Sequence, residues 1–178
     1  MVVPLKGVDF VKLLIHDLRP PRSERLFQEC TGKNGWYVIS DNGSIRPCTG
    51  CFGCWVRTPG ACILRDSYSE MGRLLSQSEE VVLVSRCCWG APGPFVKNVL
   101  DRSLPYLHPF FTVRNNEMHH RLRYDHHFAL SALFYGKGLS EEEMETASDW
   151  VHAVAVNFGC TVRRVEFRET PEELEGIL

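Results

Sequence analysis

Short apolar runs alternate along the chain with segments whose apolar residues recur at helical spacing. Five runs have the length and composition of β-strands, namely residues 10–15, 36–39, 81–84, 128–134 and 161–167. Residues 81–84 are all apolar and mostly β-branched, which is typical of a central parallel strand covered on both faces. Residues 161–167 mix apolar and charged positions, so we expect an edge strand there.

The clearest helix has an apolar residue at every third or fourth position. Its stripe consists of Met144, Ala147, Val151, Val154 and Phe158. Ser140 and Glu143 form a capping box before the stripe, and Gly159 ends it. This pattern predicts a long amphipathic helix packed on one face of the sheet.

Other helices are predicted between the remaining strands. Ser67 and Glu70 form a second capping box, so a helix is expected to start near Asp66. Another is expected after Pro94, and a short one between the first two strands.

Strands and helices that alternate in this way predict a three-layer α/β/α sandwich around a five-stranded parallel sheet. The first, third and fourth strands are the most apolar, which favours the order 2-1-3-4-5 with the weaker strands at the edges. We expect residues 1–178 to form a single domain. The segment at about 106–127 shows no clear hydrophobic periodicity and is predicted to be an inserted long loop or hairpin.

The overall composition narrows the class of protein. The net charge is −2, and no stretch approaches the ~18 apolar residues of a membrane span, so neither nucleic acid nor membrane is an expected partner. The N-terminus carries no secretion-signal pattern, and the eight cysteines are therefore read as reduced thiols or ligands. We expect a cytoplasmic protein.

Four of the cysteines lie in one short segment. They are Cys48, Cys51, Cys54 and Cys62, with the spacing C-x2-C-x2-C-x7-C. One turn of backbone can bring thiols two residues apart together, as redox pairs and metal clusters require. The segment therefore indicates electron-transfer chemistry.

The predicted sheet places this segment near a ligand-binding edge. In an open parallel sheet, ligands bind beyond the carboxyl ends of the strands. Loops 17–23, 86–94 and 135–139 lie at that edge, and the cysteine segment follows the second strand to the same edge. We expect the cysteines to be neighbours of a bound cofactor.

Two runs carry a resemblance to a known family. Residues 47–62 read P-C-T-G-C-F-G-C-W-V-R-T-P-G-A-C, and residues 85–97 read S-R-C-C-W-G-A-P-G-P-F-V-K, followed by Asp101 and Arg102. Both runs resemble flavodoxin-fold NAD(P)H-dependent FMN reductases, including the iron-sulfur flavoproteins. The resemblance implies a flavodoxin-like fold, FMN at the strand ends, NAD(P)H as electron donor and a separate small-molecule or protein acceptor. It also implies a homo-oligomer, either a dimer or a tetramer.

The resemblance indicates which residues would position the flavin. The loop after the third strand supplies Cys87, Cys88, Trp89 and Gly90, along the ribityl chain and the ring. Tyr135 and Gly136 would close a third side. No catalytic side chain is expected, because the cofactor carries the chemistry. The alternative is that Trp89 caps the sheet while Cys87 and Cys88 pack as small apolar residues.

The first loop departs from the family pattern. Only Arg19 and Ser23 match the residues that would bind the FMN phosphate at a helix N-terminus. Two prolines offer no amide donors there, and Asp17 and Glu24 add negative charge. Neighbouring arginines can compensate through their guanidinium groups. A functional phosphate site and a decayed one both stay open.

The cysteine segment also leaves alternatives open. The resemblance implies a four-iron, four-sulfur cluster on the four cysteines, whereas a redox-active dithiol or simple packing fits the same spacing. Zinc also binds four thiolates, but the predicted flavodoxin-like fold disfavours a zinc site. Five of the seven histidines fall within residues 106–127, yet no ligand geometry can be read from them. We expect a hairpin there that packs on a partner subunit or covers the flavin.

Three functions follow from these observations. The first is an FMN-dependent oxidoreductase that passes electrons from NAD(P)H to a flavin, quinone or similar acceptor. The second is an electron-transfer protein that holds both FMN and an iron-sulfur cluster. The third is a flavodoxin-fold binding module that has lost its cofactor, which the altered first loop favours.

Overall fold

The computed structural model describes residues 11–30 and 35–176, so the predicted start of the first strand at Phe10 lies outside the described residues. In chain order the strands and helices are β1 (Val11–His16), α1 (Arg22–Leu26), β2 (Trp36–Ser40), α2 (Gly53–Val56), α3 (Met71–Ser76), β3 (Ser78–Cys88), β4 (Ala91–Pro92), α4 (Pro94–Asp101), β5 (Leu107–Arg114), β6 (Glu117–Leu122), β7 (Ala129–Tyr135), α5 (Glu141–Phe158) and β8 (Thr161–Arg168).

The central sheet has the predicted topology. Its strands follow the order β2-β1-β3-β7-β8, and each neighbouring pair is parallel. These five strands are the five predicted from the sequence, so the α/β class and the order 2-1-3-4-5 are confirmed. The short strand β4 folds back antiparallel on the end of β3.

The core lies on both faces of this sheet, but the two faces are covered unequally. On one face, α3, α4 and α5 pack against the sheet, and their buried residues include Met71, Val96 and Val151. The other face is covered by α1 and by a 3₁₀ turn at Pro171–Leu174, with Phe27 and Leu174 as its buried contacts. The second helical layer is therefore thin among the described residues.

One predicted helix start is confirmed and another is wrong. Ser140 accepts from the Glu143 amide and the Glu143 carboxylate accepts from the Ser140 amide, which completes the capping box of α5. The second predicted box does not form, because α3 begins at Met71 rather than near Asp66. The carboxylate of Asp66 instead accepts from the Tyr68 amide and from a distant arginine, which holds residues 66–69 in a turn.

An antiparallel hairpin of β5 and β6 projects from the sheet within residues 106–127. Its turn is formed by Asn115 and Asn116, both with positive φ, as a two-residue hairpin turn of the I′ type requires. Arg114 donates to the carbonyl of Val156 at 2.9 Å and so ties the hairpin to α5.

No helix in the described part of the chain is long and apolar enough to cross a membrane.

Candidate functional site

The carboxyl ends of β1, β3 and β7 meet at the carboxylate of Asp17. The hydroxyl of Ser85 and the amide of Arg86 donate to Oδ2 at 2.7 and 3.0 Å, and the hydroxyl of Tyr135 donates to Oδ1 at 2.8 Å. The amide of Gly93 donates in turn to the Ser85 hydroxyl at 2.8 Å. One acidic side chain thus joins the carboxyl-terminal residues of β3 and β7 to the residue that follows β1.

The tyrosine in this network stays protonated. Burial is the main cause that raises the pKa of the Tyr135 hydroxyl above its ordinary value, and the adjacent Asp17 carboxylate raises it further. The hydroxyl therefore acts as a donor toward Asp17 rather than as a base.

The loop after β3 is a tight antiparallel turn whose two central residues are Trp89 and Gly90. Their φ angles are +55° and +76°, and Cys88 pairs with Ala91 across the turn. The Trp89 side chain is 91% exposed, so it does not cap the sheet. At Gly90, a Cβ would come within 2.6 Å of the Thr146 side chain on α5, so only glycine fits this close approach.

The two cysteines beside this turn differ in exposure. Cys87 is buried, and burial raises the pKa of its thiol, opposed by a hydrogen bond with the Gly90 backbone. Cys88 is half-buried at the rim.

A groove of about 400 Å³ lies between the loops after β3 and β7. Four residues predicted to position a flavin line it, namely Cys87, Cys88, Trp89 and Gly136. Lys137 and Glu143 are also on its walls. Tyr135 lies next to the groove in sequence, with its hydroxyl on Asp17. The structure therefore gathers most of the residues predicted from the second and third loops.

Arg19 and Ser23, predicted to bind a phosphate, do not line this groove. Ser23 is buried in the first turn of α1, and its amide donates to the carbonyl of Arg19 at 3.3 Å. Helix α1 is only five residues long and has no side-chain cap. Phosphate binding by these two residues stays a prediction.

The four clustered cysteines come close together around the short helix α2. Burial raises the pKa of the Cys54 thiol to about 11, and the proximity of Cys62, Cys48 and Cys51 contributes to that rise. Cys48 and Cys51 are exposed, while a hydrogen bond with the Gly53 backbone lowers the pKa of Cys51. The arrangement places one buried thiol beneath three more accessible ones.

A buried arginine holds this cysteine segment in place. The guanidinium of Arg102 donates to the Cys62 Sγ at 3.0 Å, to both carboxylate oxygens of Asp66 at 2.8 Å and to the carbonyls of Arg46 and Leu64. Its side chain is fully buried. In the sequence, Arg102 stands out only as part of a family motif, and nothing in that motif indicates this role. The available signal was a charged residue at the end of an apolar helical stripe.

Stacked rings connect the cysteine segment to the hairpin. Trp55 stacks on Phe52, contacts the ring of His120, and donates to the carbonyl of Leu107 at 3.0 Å. His120 stacks in turn on Phe111.

Across the residues that the structure describes, no group of three or more His, Cys, Asp or Glu side chains is arranged to hold a single metal ion.

Sequence comparisons give a match over part of the chain. No family model matches the chain. A segment of 64 residues, 36% of this chain, is 38% identical to an iron-sulfur flavoprotein of Archaeoglobus fulgidus, and the match spans 28% of that protein's length.

Solved structures share the fold over most of its length. An azoreductase from Bacillus anthracis superposes with a TM-score of 0.56 at 14% identity, covering 94% of this chain and 92% of the other. An NAD(P)H:quinone oxidoreductase from Methanothermobacter marburgensis gives 0.52 at 14% identity, covering 94% and 93%. The Trp repressor binding protein from Bacillus subtilis gives 0.54 at 9% identity, covering 89% and 87%. The structural neighbours thus include reductases of the expected kind, and the fold is flavodoxin-like.

Proposed function

We propose that the protein is a flavin-dependent oxidoreductase that takes electrons from NAD(P)H, holds FMN in the groove beside Trp89 and passes the electrons to an acceptor such as a flavin or quinone. The observation that carries this proposal is the groove of about 400 Å³ at the carboxyl edge of the sheet. Ligands of open parallel sheets bind at this edge. Azoreductases and quinone oxidoreductases with the same fold support the choice of chemistry.

The residues of the groove suit the ring of a flavin. The exposed indole of Trp89 offers an aromatic face against which a second ring can stack. Gly90 keeps the turn closed against α5, which fixes the backbone that carries that indole. Lys137 brings positive charge to the wall, where it would stabilise negative charge on a reduced ring. When bound, the flavin supplies hydride acceptance and onward electron transfer.

The proposal is tested on protein purified under nitrogen. We expect a yellow preparation, or a colourless one that binds added FMN, and flavin-dependent oxidation of NADH or NADPH with a soluble quinone as acceptor. A colourless preparation that binds neither FMN nor FAD would overturn the proposal and favour a binding module without cofactor.

A second function is favoured by the four gathered cysteines. Cys54 lies close to Cys48, Cys51 and Cys62, and four thiolates are the number that a four-iron, four-sulfur cluster requires. Together with FMN, such a cluster would make the protein an electron carrier whose acceptor is another redox protein. The partial match to an iron-sulfur flavoprotein supports this alternative.

Iron and sulfide content separate this alternative from a simple dithiol. If the four cysteines bind a cluster, we expect stoichiometric iron in the wild-type protein after anaerobic reconstitution and none in the Cys54→Ala variant. Cys30→Ala is the matched control, because Cys30 is also buried but packs in the core of the sheet face that α1 covers, outside the cysteine segment. Iron that survives Cys54→Ala would show that the proposed ligands are wrong.

The hairpin supports the proposal that the protein forms a homo-oligomer. Its exposed apolar side chains are Phe110, Phe111, Val113 and Met118, each at least 60% exposed. Phe111, Val113 and Met118 lie on one face of the hairpin and Phe110 lies on the other. A cluster of exposed apolar side chains such as the first three marks a surface that binds other proteins. Sedimentation of the wild-type protein, compared with a Phe111→Ser variant, tests this assembly, and a monomeric wild type would contradict it.

A further inference from the structure

We propose that the groove binds its flavin through the ring and the ribityl chain alone, without an anchor for the phosphate, so that riboflavin and FMN bind with similar affinity. This inference rests on the proposed function, since it names the form of flavin that the same groove accepts. It is carried by the geometry around Asp17 and the loop between β1 and α1.

Asp17 places a fixed carboxylate at the carboxyl end of β1. Its two oxygens accept from the hydroxyls of Ser85 and Tyr135 and from the amide of Arg86. These donors belong to the carboxyl-terminal ends of β3 and β7, and all three point to the carboxylate. An internal anion therefore already uses the donors that converge at this edge.

The carboxylate also fills the space at this edge. A Cβ on Gly93 would lie 2.7 Å from the Asp17 Oδ2, so the backbone at the start of α4 packs directly against it. A phosphate carries a charge of about −1.5 to −2 at neutral pH. Next to Asp17 it would meet a like charge that is held in position by its own hydrogen bonds.

The backbone of the β1–α1 loop has few amides to offer instead. Pro20 and Pro21 have no N–H group. The amide of Ser23 already donates to the carbonyl of Arg19. With five residues, α1 is too short to supply the aligned amides of a longer helix.

The arginines of this region are partly neutralised or exposed. Arg22 and Arg25 both pair with the carboxylate of Glu172, at 2.9 and 3.3 Å. Arg19 and Arg86 are exposed to solvent, where a guanidinium attracts an anion only weakly. A phosphate directed toward this loop would therefore gain little binding free energy beyond that of its hydration in solvent.

The experiment compares riboflavin with FMN, which differ only in the phosphate. Dissociation constants are measured for both by calorimetry on the full chain, freed of endogenous flavin. We expect the two constants to agree within about tenfold, the factor that corresponds to ~1.4 kcal/mol. If FMN binds more than tenfold tighter, the inference is wrong while the proposed function stands. If neither binds, the proposed function itself fails.

Two variants locate the cause. Asp17→Asn removes the charge and should raise FMN affinity by about tenfold relative to riboflavin, as relief of one like-charge contact predicts. Glu172→Gln releases Arg22 and Arg25 without touching the Asp17 network and should raise FMN affinity by about threefold. The matched control is Glu169→Gln, an exposed carboxylate on the same segment. An unchanged FMN-to-riboflavin ratio in both folded variants would overturn the inference.

Discussion

The Nε of Arg102 donates a hydrogen bond to the Sγ of Cys62 across 3.0 Å, which joins the end of α4 to the last of the four clustered cysteines. The same guanidinium binds both oxygens of Asp66, and this contact is the main cause that lowers the pKa of the Asp66 carboxyl. A fully buried cation thus organises the exposed cysteine segment from beneath.

Arg102→Gln should be strongly destabilising. The substitution removes the cation that binds both oxygens of the Asp66 carboxylate, which is 8% exposed, and leaves it the more distant Arg46 guanidinium at 4.0 Å. Removing one partner of a buried ion pair costs about 3–5 kcal/mol, a large share of the stability of a typical domain. Urea unfolding measures the loss. The matched control is Arg73→Gln, whose exposed pair with Glu70 should change stability by less than ~0.5 kcal/mol. Equal stability of the two variants would contradict this role for Arg102.

The order of the sheet could be predicted because it depends on local patterns. Residues 81–84 are all apolar, residues 128–134 are apolar except for Ser131, and the two runs correspond to the inner strands β3 and β7. The capping box at Ser140 was also predictable, because both of its partners lie within one turn of α5. Periodicity and local spacing carry this information.

The hydrogen bonds that organise the site could not be predicted in the same way. Tyr135 and Asp17 are 118 residues apart, and Arg102 and Cys62 are 40 apart. No periodicity shows which distant donor meets which acceptor. The prediction of a capping box at Ser67 was wrong for the same reason. The local sequence match was overridden by the long-range contact between Arg102 and Asp66.

Gly90→Ala should destabilise the protein more than Gly138→Ala. Both glycines have positive φ, and forcing an L-residue into that region costs about 1–2 kcal/mol. At Gly138 a Cβ meets nothing within 4 Å, whereas at Gly90 it would contact Thr146 at 2.6 Å. We therefore expect an additional loss of about 1–3 kcal/mol at position 90, because the turn must move away from α5. Thermal unfolding of the two variants provides the comparison, and equal losses would show that the turn has room to move.

Trp89→Ala should weaken flavin binding and leave stability almost unchanged. The indole is 91% exposed, and surface substitutions of this kind usually change stability by less than ~0.5 kcal/mol. Loss of an aromatic stacking partner corresponds to about 0.5–1.5 kcal/mol, or roughly two- to thirteenfold in the flavin dissociation constant. The control is Phe110→Ala, an exposed aromatic of the hairpin that does not line the groove. If both variants bind FMN like the wild type, the ring does not lie beside Trp89.

The metal-free cysteines should differ in their rates of alkylation. Cys51 is exposed, and its hydrogen bond with the Gly53 backbone lowers its pKa, so a larger fraction is thiolate at pH 8. Cys54 is buried, and burial raises its pKa to about 11. Iodoacetamide labelling followed by mass spectrometry should therefore modify Cys51 first and Cys54 last of the four. Urea-unfolded protein, in which all four should react at similar rates, serves as the control. Faster labelling of Cys54 than of Cys51 in the folded protein would contradict the arrangement.

His16 should make the stability of the fold depend on pH between about 4 and 6.5. Burial lowers the pKa of its imidazole to about 4, opposed by a hydrogen bond with the Leu18 backbone, and within the described structure its Nδ1 has no hydrogen-bond partner. The ring packs against Phe27 at 4.8 Å. The imidazole of His16 takes up a proton near pH 6.5 in the unfolded chain but only near pH 4 in the folded protein. Its contribution to the free energy of unfolding is therefore full above pH 6.5.

That contribution is lost as the pH falls from 6.5 toward 4, by up to ~3 kcal/mol in total and at most ~1.4 kcal/mol per pH unit. His16→Gln removes the titrating group, so its stability should fall less steeply than that of the wild type across this window. Urea unfolding at half-unit steps of pH measures both slopes. His152→Gln, on the exposed surface of α5, is the control and should keep the wild-type slope. Parallel curves for the wild type and His16→Gln would show that the buried imidazole accepts a proton in the folded state as readily as in the unfolded chain.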